Sequence, residues 1–334
     1  MQRRTFITGL AGIAGAVAMP HVRRAGAQTP LSLRFGHYTD VNHPGHIAAM
    51  QFAERVKART NGAVQVNIFP NNALGSPPQL LEQTKLGAID MAVPTQGQLD
   101  KYIKAFGACE LPFVFRDYDH AHRVLDSDAV TGWLSPLAEQ QGFIILANWE
   151  YGFRNLTTAK TPINSPDDVK GLKIRTPPEI QISATIEALG GIVTQIAFPE
   201  LYLAMSQGVI EGEENPIAVI FFGKYYEVQK NLALTKHIYN NMIHTMSSRS
   251  WAKLSKDQQA IVREESKSAG DKMRQLIVSQ EADQVKKLAD LGMKITKPDL
   301  SPFKAKMEPA YAKIGDFLGP DNVKKFRDIV AKAG

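Results

Sequence analysis

Apolar and polar positions along this chain switch repeatedly between the period of a strand and that of a helix. Residues 31–37 alternate as a strand does, and residues 44–60 place apolar side chains at roughly helical spacing. The same succession recurs along most of the chain. We predict strands at residues 31–37, 64–69, 89–93, 143–147, 172–175 and 209–213, with helices at residues 44–60, 77–86, 178–189 and 199–207 and between 117 and 141. This alternation predicts an α/β fold.

The segment from residue 255 to about residue 291 has a different pattern. It contains no proline, is rich in Lys, Glu, Gln and Ala, and is interrupted only by Gly270. We predict one or two long amphipathic helices here, long enough to brace two lobes. Residues 321–333 predict a terminal helix.

The N-terminus has the pattern of an export signal. Arg3 and Arg4 stand directly before an apolar run at residues 6–19, and Ala25-Gly26-Ala27 resembles a signal-peptidase site. We predict a twin-arginine signal at residues 1–27, a mature chain that begins near residue 28, and a periplasmic location. The alternative is an ordinary secretory signal or an uncleaved anchor.

Length and charge narrow the classes of protein further. The chain has 334 residues, of which 44% are hydrophobic. This length exceeds the about 100–200 residues that are usual for one domain. Two lobes are therefore predicted. The formal charge of +6 falls to +2 without residues 1–27, which carry four arginines and no acid. The rest of the chain has no basic block that would predict a nucleic-acid partner and no second apolar run of transmembrane length, so we expect a soluble mature protein.

The common enzyme motifs are absent from the sequence. Neither a nucleophile elbow, a zinc-protease motif nor a phosphate-binding loop is present. His37, His43 and His46 lie close together, which makes a metal site conceivable, but histidines at a helix start or a pocket rim fit the spacing better. Cys109 is the only cysteine, which excludes an internal disulfide. We predict no metal, no cofactor and no catalytic residue.

Arg154 and Arg175 are isolated arginines that we predict to lie where strands meet loops. Ligands of open α/β folds bind at the carboxyl ends of strands, and a guanidinium group matches a carboxylate with two parallel hydrogen bonds. The pair therefore favours an anionic ligand. The alternative is that each arginine pairs with a nearby acid such as Glu179 or Glu150.

Asn215 and Phe198 are further candidates for the site. Asn215 precedes a predicted apolar helix, where it is either the N-cap or an amide donor to a bound anion. Phe198 is either a core residue or an apolar wall of a pocket.

A series of short segments occurs in a fixed order along the chain. They are His43-Pro44-Gly45-His46, Phe52-Ala53-Glu54-Arg55-Val56, Asn61-Gly62, Phe69-Pro70-Asn71, Leu74-Gly75, Leu86-Gly87-Ala88-Ile89-Asp90, Gly152-Phe153-Arg154, Lys170-Gly171-Leu172-Lys173-Ile174-Arg175, Phe198-Pro199-Glu200-Leu201-Tyr202, Glu214-Asn215-Pro216 and Tyr225-Tyr226-Glu227-Val228-Gln229-Lys230. Each is modest alone, but the order is specific. Through most of the mature chain the sequence resembles the solute-binding proteins of tripartite ATP-independent periplasmic (TRAP) transporters, of the dicarboxylate-binding (DctP) type.

The resemblance implies the two-lobed fold of periplasmic binding proteins, with a hinge, a long helix that spans both lobes, and a ligand cleft between them. We assign residues 28–151 plus 240–280 to lobe I, residues 152–239 plus 308–334 to lobe II, and residues 281–307 to a connecting helix region.

The resemblance also implies the site and the partners. Arg175 forms a two-pronged salt bridge with a ligand carboxylate, and Arg154, Phe198 and Asn215 line the same site. The partners are a small organic acid and the small and large membrane subunits of a transporter driven by an ion gradient. We expect a monomer. The alternatives are an exported enzyme acting on organic acids and a ligand-sensing module for a membrane receptor.

The sequence departs from the family pattern at positions that bear on the ligand. Glu213 stands where the family often has glutamine, and it either adds negative charge near the cleft or faces solvent. Compared with sialic-acid-binding members, the polar cleft residues are replaced at Tyr38, Ser76, Thr95 and Gln96, which argues against that sugar acid. Tyr38, Trp149 and Tyr151 offer aromatic faces to a ligand or simply pack in the core.

Overall fold

The computed structural model describes residues 29–333. The predicted export signal at residues 1–27, with its arginine pair, lies outside these residues. Within residues 29–333 every helix is too short or too polar to span a membrane.

Nine strands and fourteen α-helices make up the described part of the chain. The strands are β1 Leu31–Gly36, β2 Val64–Phe69, β3 Met91–Ala92, β4 Phe143–Thr158, β5 Lys173–Thr176, β6 Ile192–Gln195, β7 Gly212–Pro216, β8 Asn231–Ser247 and β9 Lys294–Thr296. The helices are α1 Pro44–Arg59, α2 Pro77–Leu86, α3 Gln96–Leu99, α4 Lys104–Gly107, α5 Tyr118–Leu125, α6 Asp128–Gln140, α7 Ile180–Ala188, α8 Leu201–Ser206, α9 Ile217–Phe222, α10 Ser248–Trp251, α11 Lys256–Asp290, α12 Ser301–Ala305, α13 Glu308–Leu318 and α14 Pro320–Lys332. Short 3-10 turns occupy Ala108–Glu110, Pro166–Val169, Phe198–Glu200 and Tyr225–Glu227.

Two long antiparallel strands, β4 and β8, tie the lobes together. The strand order is β2-β1-β3-β8-β4-β7-β5-β6, with β9 beside β8. The first lobe places β1, β2 and β3 on one side of the β4–β8 pair, and the second lobe places β5, β6 and β7 on the other side. The predicted α/β class and two-lobed architecture are confirmed.

Apolar side chains cover both faces of this sheet. On β4, Trp149 and Tyr151 belong to the cluster on one face, and Phe143, Phe153 and Leu156 belong to the cluster on the other. Because successive side chains of a strand point to opposite faces, a strand buried on both faces is apolar without strict alternation. The sheet is therefore a central layer between two cores.

The predicted long helix is a single one, α11. It begins with a capping box in which Ser255 accepts a hydrogen bond from the backbone of Gln258 at 3.2 Å. The helix packs on α1 and β4 and also on α9 and β9, so it contacts both lobes. Gly270 permits the close approach to β4, since a Cβ atom there would lie 2.6 Å from the carbonyl oxygen of Asn148.

Several boundaries differ from the predicted ones. β4 extends to residue 158 instead of residue 147, and the predicted strand at residues 209–213 is shifted to residues 212–216. The helix predicted at residues 199–207 is divided into a 3-10 turn and α8. Strands β6, β8 and β9 were not predicted. The assignment of residues to lobes stays a prediction, and α11 runs without interruption across its boundary at residue 280.

Candidate ligand-binding site

A cavity of about 300 Å³ lies where the connections that follow β1 and β3 face the ends of β5 and β7. Seven of the ten predicted site residues line it, namely Tyr38, Thr95, Tyr151, Arg154, Arg175, Phe198 and Asn215. The structure thus brings together residues that are up to 177 positions apart, from Tyr38 to Asn215. Their contact with a ligand stays a prediction.

Arg175 lies near the end of β5, as predicted for a residue at a strand terminus. Its side chain is 1% exposed, and its Nε donates a hydrogen bond to the carbonyl oxygen of Ile196 at 2.9 Å. Among residues 29–333 this is its only hydrogen bond, and no carboxylate there lies within ion-pair distance. Burial lowers the pKa of Arg175, but an arginine remains charged in proteins. The cavity therefore contains a guanidinium group whose two terminal nitrogens have no hydrogen-bond partner among the described residues.

Arg154 is placed quite differently from the prediction, because it lies inside β4 and not at a strand end. Its guanidinium group forms an ion pair with Glu214, and it donates further hydrogen bonds to Asn240 Oδ1 at 2.7 Å and Asn215 Oδ1 at 3.2 Å. Burial opposes the charge of Arg154, but the ion pair with Glu214 raises its pKa above the ordinary value. Arg154 is thus satisfied by the protein itself.

A β-bulge brings both Tyr151 and Arg154 to the cavity. Glu150 pairs with Asn241 and Gly152 pairs with Asn240, so Tyr151 is an extra residue in β4. The extra residue reverses the alternation, and Phe153 faces the opposite core from Tyr151. Gly152 has φ 113°, a conformation that favours glycine.

Asn215 is not an N-cap, because it lies within β7 and Pro216 precedes α9. Its amide nitrogen donates a hydrogen bond to Glu213 Oε2 at 2.6 Å, and its oxygen accepts one from Arg154. The amide therefore has one N–H left for a ligand.

Glu213 lies behind Asn215 and does not line the cavity. Its carboxyl group accepts a hydrogen bond from Thr157 Oγ1 at 2.6 Å, and burial raises its pKa to about 7. Glu213 is fully buried, so it does not face solvent, and the alternative that it adds negative charge near the cleft stays a prediction.

Three aromatic rings form the apolar wall of the cavity. The ring of Tyr38 meets Phe198 edge-on at 5.3 Å between centroids and Tyr151 at 6.0 Å. Burial raises the pKa of Tyr38 well above its ordinary value, so this phenol is neutral at physiological pH. The wall combines apolar faces with hydroxyl groups.

Trp149 and Gln96 do not line the cavity. Trp149 is buried in the core, where its Nε1 donates a hydrogen bond to the carbonyl oxygen of Ser266 at 3.0 Å and its ring lies 4.7 Å from that of His244. Gln96 is buried at the start of α3, next to Thr95. The packing alternative is therefore the correct one for Trp149.

Three polar residues of the cavity, Glu179, Gln98 and Gln195, are not among the site residues that the sequence predicts. Glu179 lies four residues after Arg175 and is 2% exposed. It accepts a hydrogen bond from Thr95 Oγ1 at 2.8 Å and one from Gln98 Nε2 at 3.4 Å. The sequence suggests Glu179 only as an ion-pair partner of an arginine. Its position four residues after a strand-end arginine was the available signal.

The three histidines near α1 contact one another and the backbone. His37 Nε2 lies 3.1 Å from His46 Nδ1, and His43 Nδ1 accepts a hydrogen bond from the backbone N–H of Gly45 at 3.0 Å. Burial lowers the pKa of His37 and of His43 to about 3. Among the residues that the structure describes, no group of three or more His, Cys, Asp or Glu side chains is arranged to hold a metal ion.

The two-lobed α/β fold, with a largely buried cationic cavity between its lobes, defines the class of solute-binding proteins. Residues 35–316 match the DctP family, described as bacterial extracellular solute-binding protein, family 7, and the chain belongs to this family. The predicted relationship to TRAP transporter solute-binding proteins is confirmed.

Relatives match along nearly their full length. The chain is 32% identical over 301 residues to the sialic acid-binding periplasmic protein SiaP of Vibrio cholerae, which covers 90% of this chain and 94% of that protein. A TRAP solute-binding protein of Polaromonas sp. JS666 bound to D-erythronate has a TM-score of 0.85 and 32% identity, covering 89% of this chain and 98% of that one. The sugar acid binding protein DctPAm of Advenella mimigardefordensis in complex with galactonate has a TM-score of 0.88 and 27% identity, covering 92% and 99%.

Proposed function

We propose that this chain binds a small organic acid through Arg175 and delivers it to an ion-gradient-driven TRAP transporter composed of a small and a large membrane subunit. The observation that carries the proposal is the unpaired guanidinium group of Arg175, which is 1% exposed in the cavity. Burying a charge without a partner is unfavourable, so a bound anion would complete the site.

The neighbours of Arg175 support a carboxylate as that anion. Asn215 has one amide N–H that no residue among 29–333 accepts, and Arg154 adds positive charge nearby without being available for a full ion pair. Phe198 and Tyr38 would contact the carbon skeleton of the ligand. Similar proteins of known structure are described as bound to D-erythronate, galactonate and succinate, which are all small organic acids.

Location and assembly complete the proposal. The family consists of extracellular and periplasmic solute-binding proteins. We propose that the arginine pair at residues 3–4 directs export by the twin-arginine pathway, and that the mature chain acts as a monomer without a catalytic step.

Replacing Arg175 tests the proposal. An acid is first identified by thermal-shift screening of the full chain, and its affinity is then measured by calorimetry in Arg175→Ala and Arg175→Lys. Truncating one partner of a buried charge pair costs about 2–5 kcal/mol, which lowers affinity about 30-fold or more. Lysine should restore only part of the affinity, because it lacks the planar fork.

The ligand-free protein supplies a second readout. Because Arg175 has no acid partner, its removal should not lower the unfolding midpoint without ligand. Arg263→Ala is the matched control, since Arg263 stacks on Trp251 at 4.7 Å and lies outside the cavity. Full affinity in Arg175→Ala would refute the assigned role.

A further inference from the structure

One acidic side chain lines the cavity beside its two arginines. Among residues 29–333 this is Glu179, which precedes α7 and is 2% exposed. A carboxylate in a site for an anion repels the ligand unless the ligand offers it a hydrogen-bond donor. Glu179 therefore favours a ligand that carries a hydrogen-bond donor.

Glu179 and Gln98 lie side by side at the cavity. Gln98 donates its amide N–H to Glu179, so its Oε1 points elsewhere, and this buried oxygen has no hydrogen-bond partner among the described residues. A buried acceptor without a donor is unfavourable. Of these two side chains, we take the carboxylate of Glu179 as the acceptor for a ligand hydroxyl.

The charge of Glu179 depends on Glu110, which lies behind it. A Cβ atom on Gly97 would collide with Oε2 of both acids, so the two carboxyl groups are close neighbours. Burial raises the pKa of Glu110 well above its ordinary value, and the neighbouring carboxyl group of Glu179 raises it further. Burial also raises the pKa of Glu179, but Arg154, Thr95 and the hydrogen bond with Glu110 act against that rise. We assign the shared proton to Glu110 and the negative charge to Glu179.

The arginines offer a place for one ligand carboxylate only. Arg154 is already paired with Glu214, and Arg175 is left for the ligand. A second carboxylate on the ligand would meet Glu179 with no cation left to balance it. An ammonium group could also donate to Glu179, but burying its charge in a cavity walled by aromatic rings costs more than burying a neutral hydroxyl, so a hydroxyl donor fits better.

We propose that Glu179 makes this site selective for hydroxy acids with a single carboxylate, because it accepts a hydrogen bond from a ligand hydroxyl and repels a second carboxylate. This inference rests on the proposed function and names the substrate class of the same site.

Two matched pairs of acids test the selectivity. D-erythronate and meso-tartrate differ only in that a terminal hydroxymethyl group is replaced by a carboxylate, and galactonate and galactarate differ in the same way. The full chain should bind the hydroxy monoacid at least about tenfold more tightly in one or both pairs. Glu179→Gln should reduce that ratio of dissociation constants about tenfold or more by removing the repulsion.

Two further variants keep the result interpretable. Glu179→Asp retains the charge and should keep the preference for the monoacid, even if the variant binds more weakly. Glu265→Gln is the matched control, because Glu265 is a buried acid that pairs with Arg59 on α1, away from the cavity. It should leave the ratio unchanged. Ligand-free unfolding midpoints check that each variant folds.

The outcomes separate this inference from the proposed function. If no acid in the thermal-shift screen binds, or if Arg175→Ala binds its acids normally, the proposed function fails and this inference fails with it. If the acids bind through Arg175 but diacids bind as tightly as monoacids, the inference alone is overturned. The same holds if folded Glu179→Gln keeps the wild-type ratio.

Discussion

The ion pair between Arg154 and Glu214 should be the most sensitive electrostatic contact in the second lobe. Arg154 is 2% exposed and Glu214 is fully buried, and His237 Nε2 also lies 3.2 Å from Glu214 Oε2. Replacing Glu214 by Gln keeps the size of the side chain and removes its charge. The guanidinium group of Arg154 would then remain buried without its anion.

The expected loss of stability can be estimated because the ion pair is buried. Breaking a buried ion pair by removing one partner costs about 3–5 kcal/mol. With an unfolding entropy of about 2.1 cal/mol/K per residue over roughly 300 residues, this lowers the midpoint by about 5–8 °C.

Burial and also the charge of Glu214 raise the pKa of Glu213 to about 7. Without Glu214 this carboxyl group should ionise more easily, so the loss should be smaller at pH 8 than at pH 6.

Calorimetric unfolding of ligand-free wild type, Glu214→Gln and the double variant Arg154→Met/Glu214→Gln would measure these differences. Removing both charges eliminates the stranded cation, so the double variant should be more stable than Glu214→Gln. If Glu214→Gln unfolds at the wild-type temperature at pH 6, or if the double variant is the less stable of the two, the reasoning is refuted.

Two further predictions concern a close contact and a buried histidine. Gly97→Ala should weaken acid binding in calorimetry, because its methyl group would displace the Glu110 and Glu179 carboxyl groups. Gly132 has open space around it, so Gly132→Ala should bind normally. Equal affinity in both variants would contradict the predicted clash. Burial lowers the pKa of His244 from 6.5 to about 3, so between these values the folded state binds fewer protons than the unfolded state, and stability is lost as the pH falls. From pH 7 to pH 5 this group should cost about 2 kcal/mol of unfolding free energy, and His244→Asn should flatten the measured dependence; an unchanged slope would contradict it.

Local patterns were sufficient for most of the fold. The strand at β2 and the helix at α2 have the bounds that the sequence predicts, because their apolar spacing is regular and Gly87 ends the helix in a left-handed conformation. β8 could not be recognised in the same way. It is buried on both faces along its length and contains asparagines and histidines that bond to other segments, so neither strict alternation nor an apolar run marks it.

The site was predictable by residue type but not by placement. Seven predicted residues line the cavity. Simple alternation along β4 places Trp149 and Tyr151 on one face of the sheet, but it would place Arg154 on the opposite face. Only the bulge at Tyr151 achieves this, and the bulge is defined by pairing with β8, about 90 residues further along the chain. A single sequence does not encode that pairing in any local pattern.

The two arginines show why composition alone left the ligand question open. Pairing with a nearby acid and binding of a ligand are equal alternatives for both arginines. The first alternative describes Arg154, and ligand binding by Arg175 stays a proposal. Arg154 pairs with Glu214, an acid 60 residues away in sequence, and neither Glu150 nor Glu179 takes that place. Arg175 has no acid partner among the described residues and stays charged in the cavity. Because only Arg154 forms an ion pair with the protein, the guanidinium group of Arg175 is left at a fixed position, and that position is where we propose that the carboxylate binds.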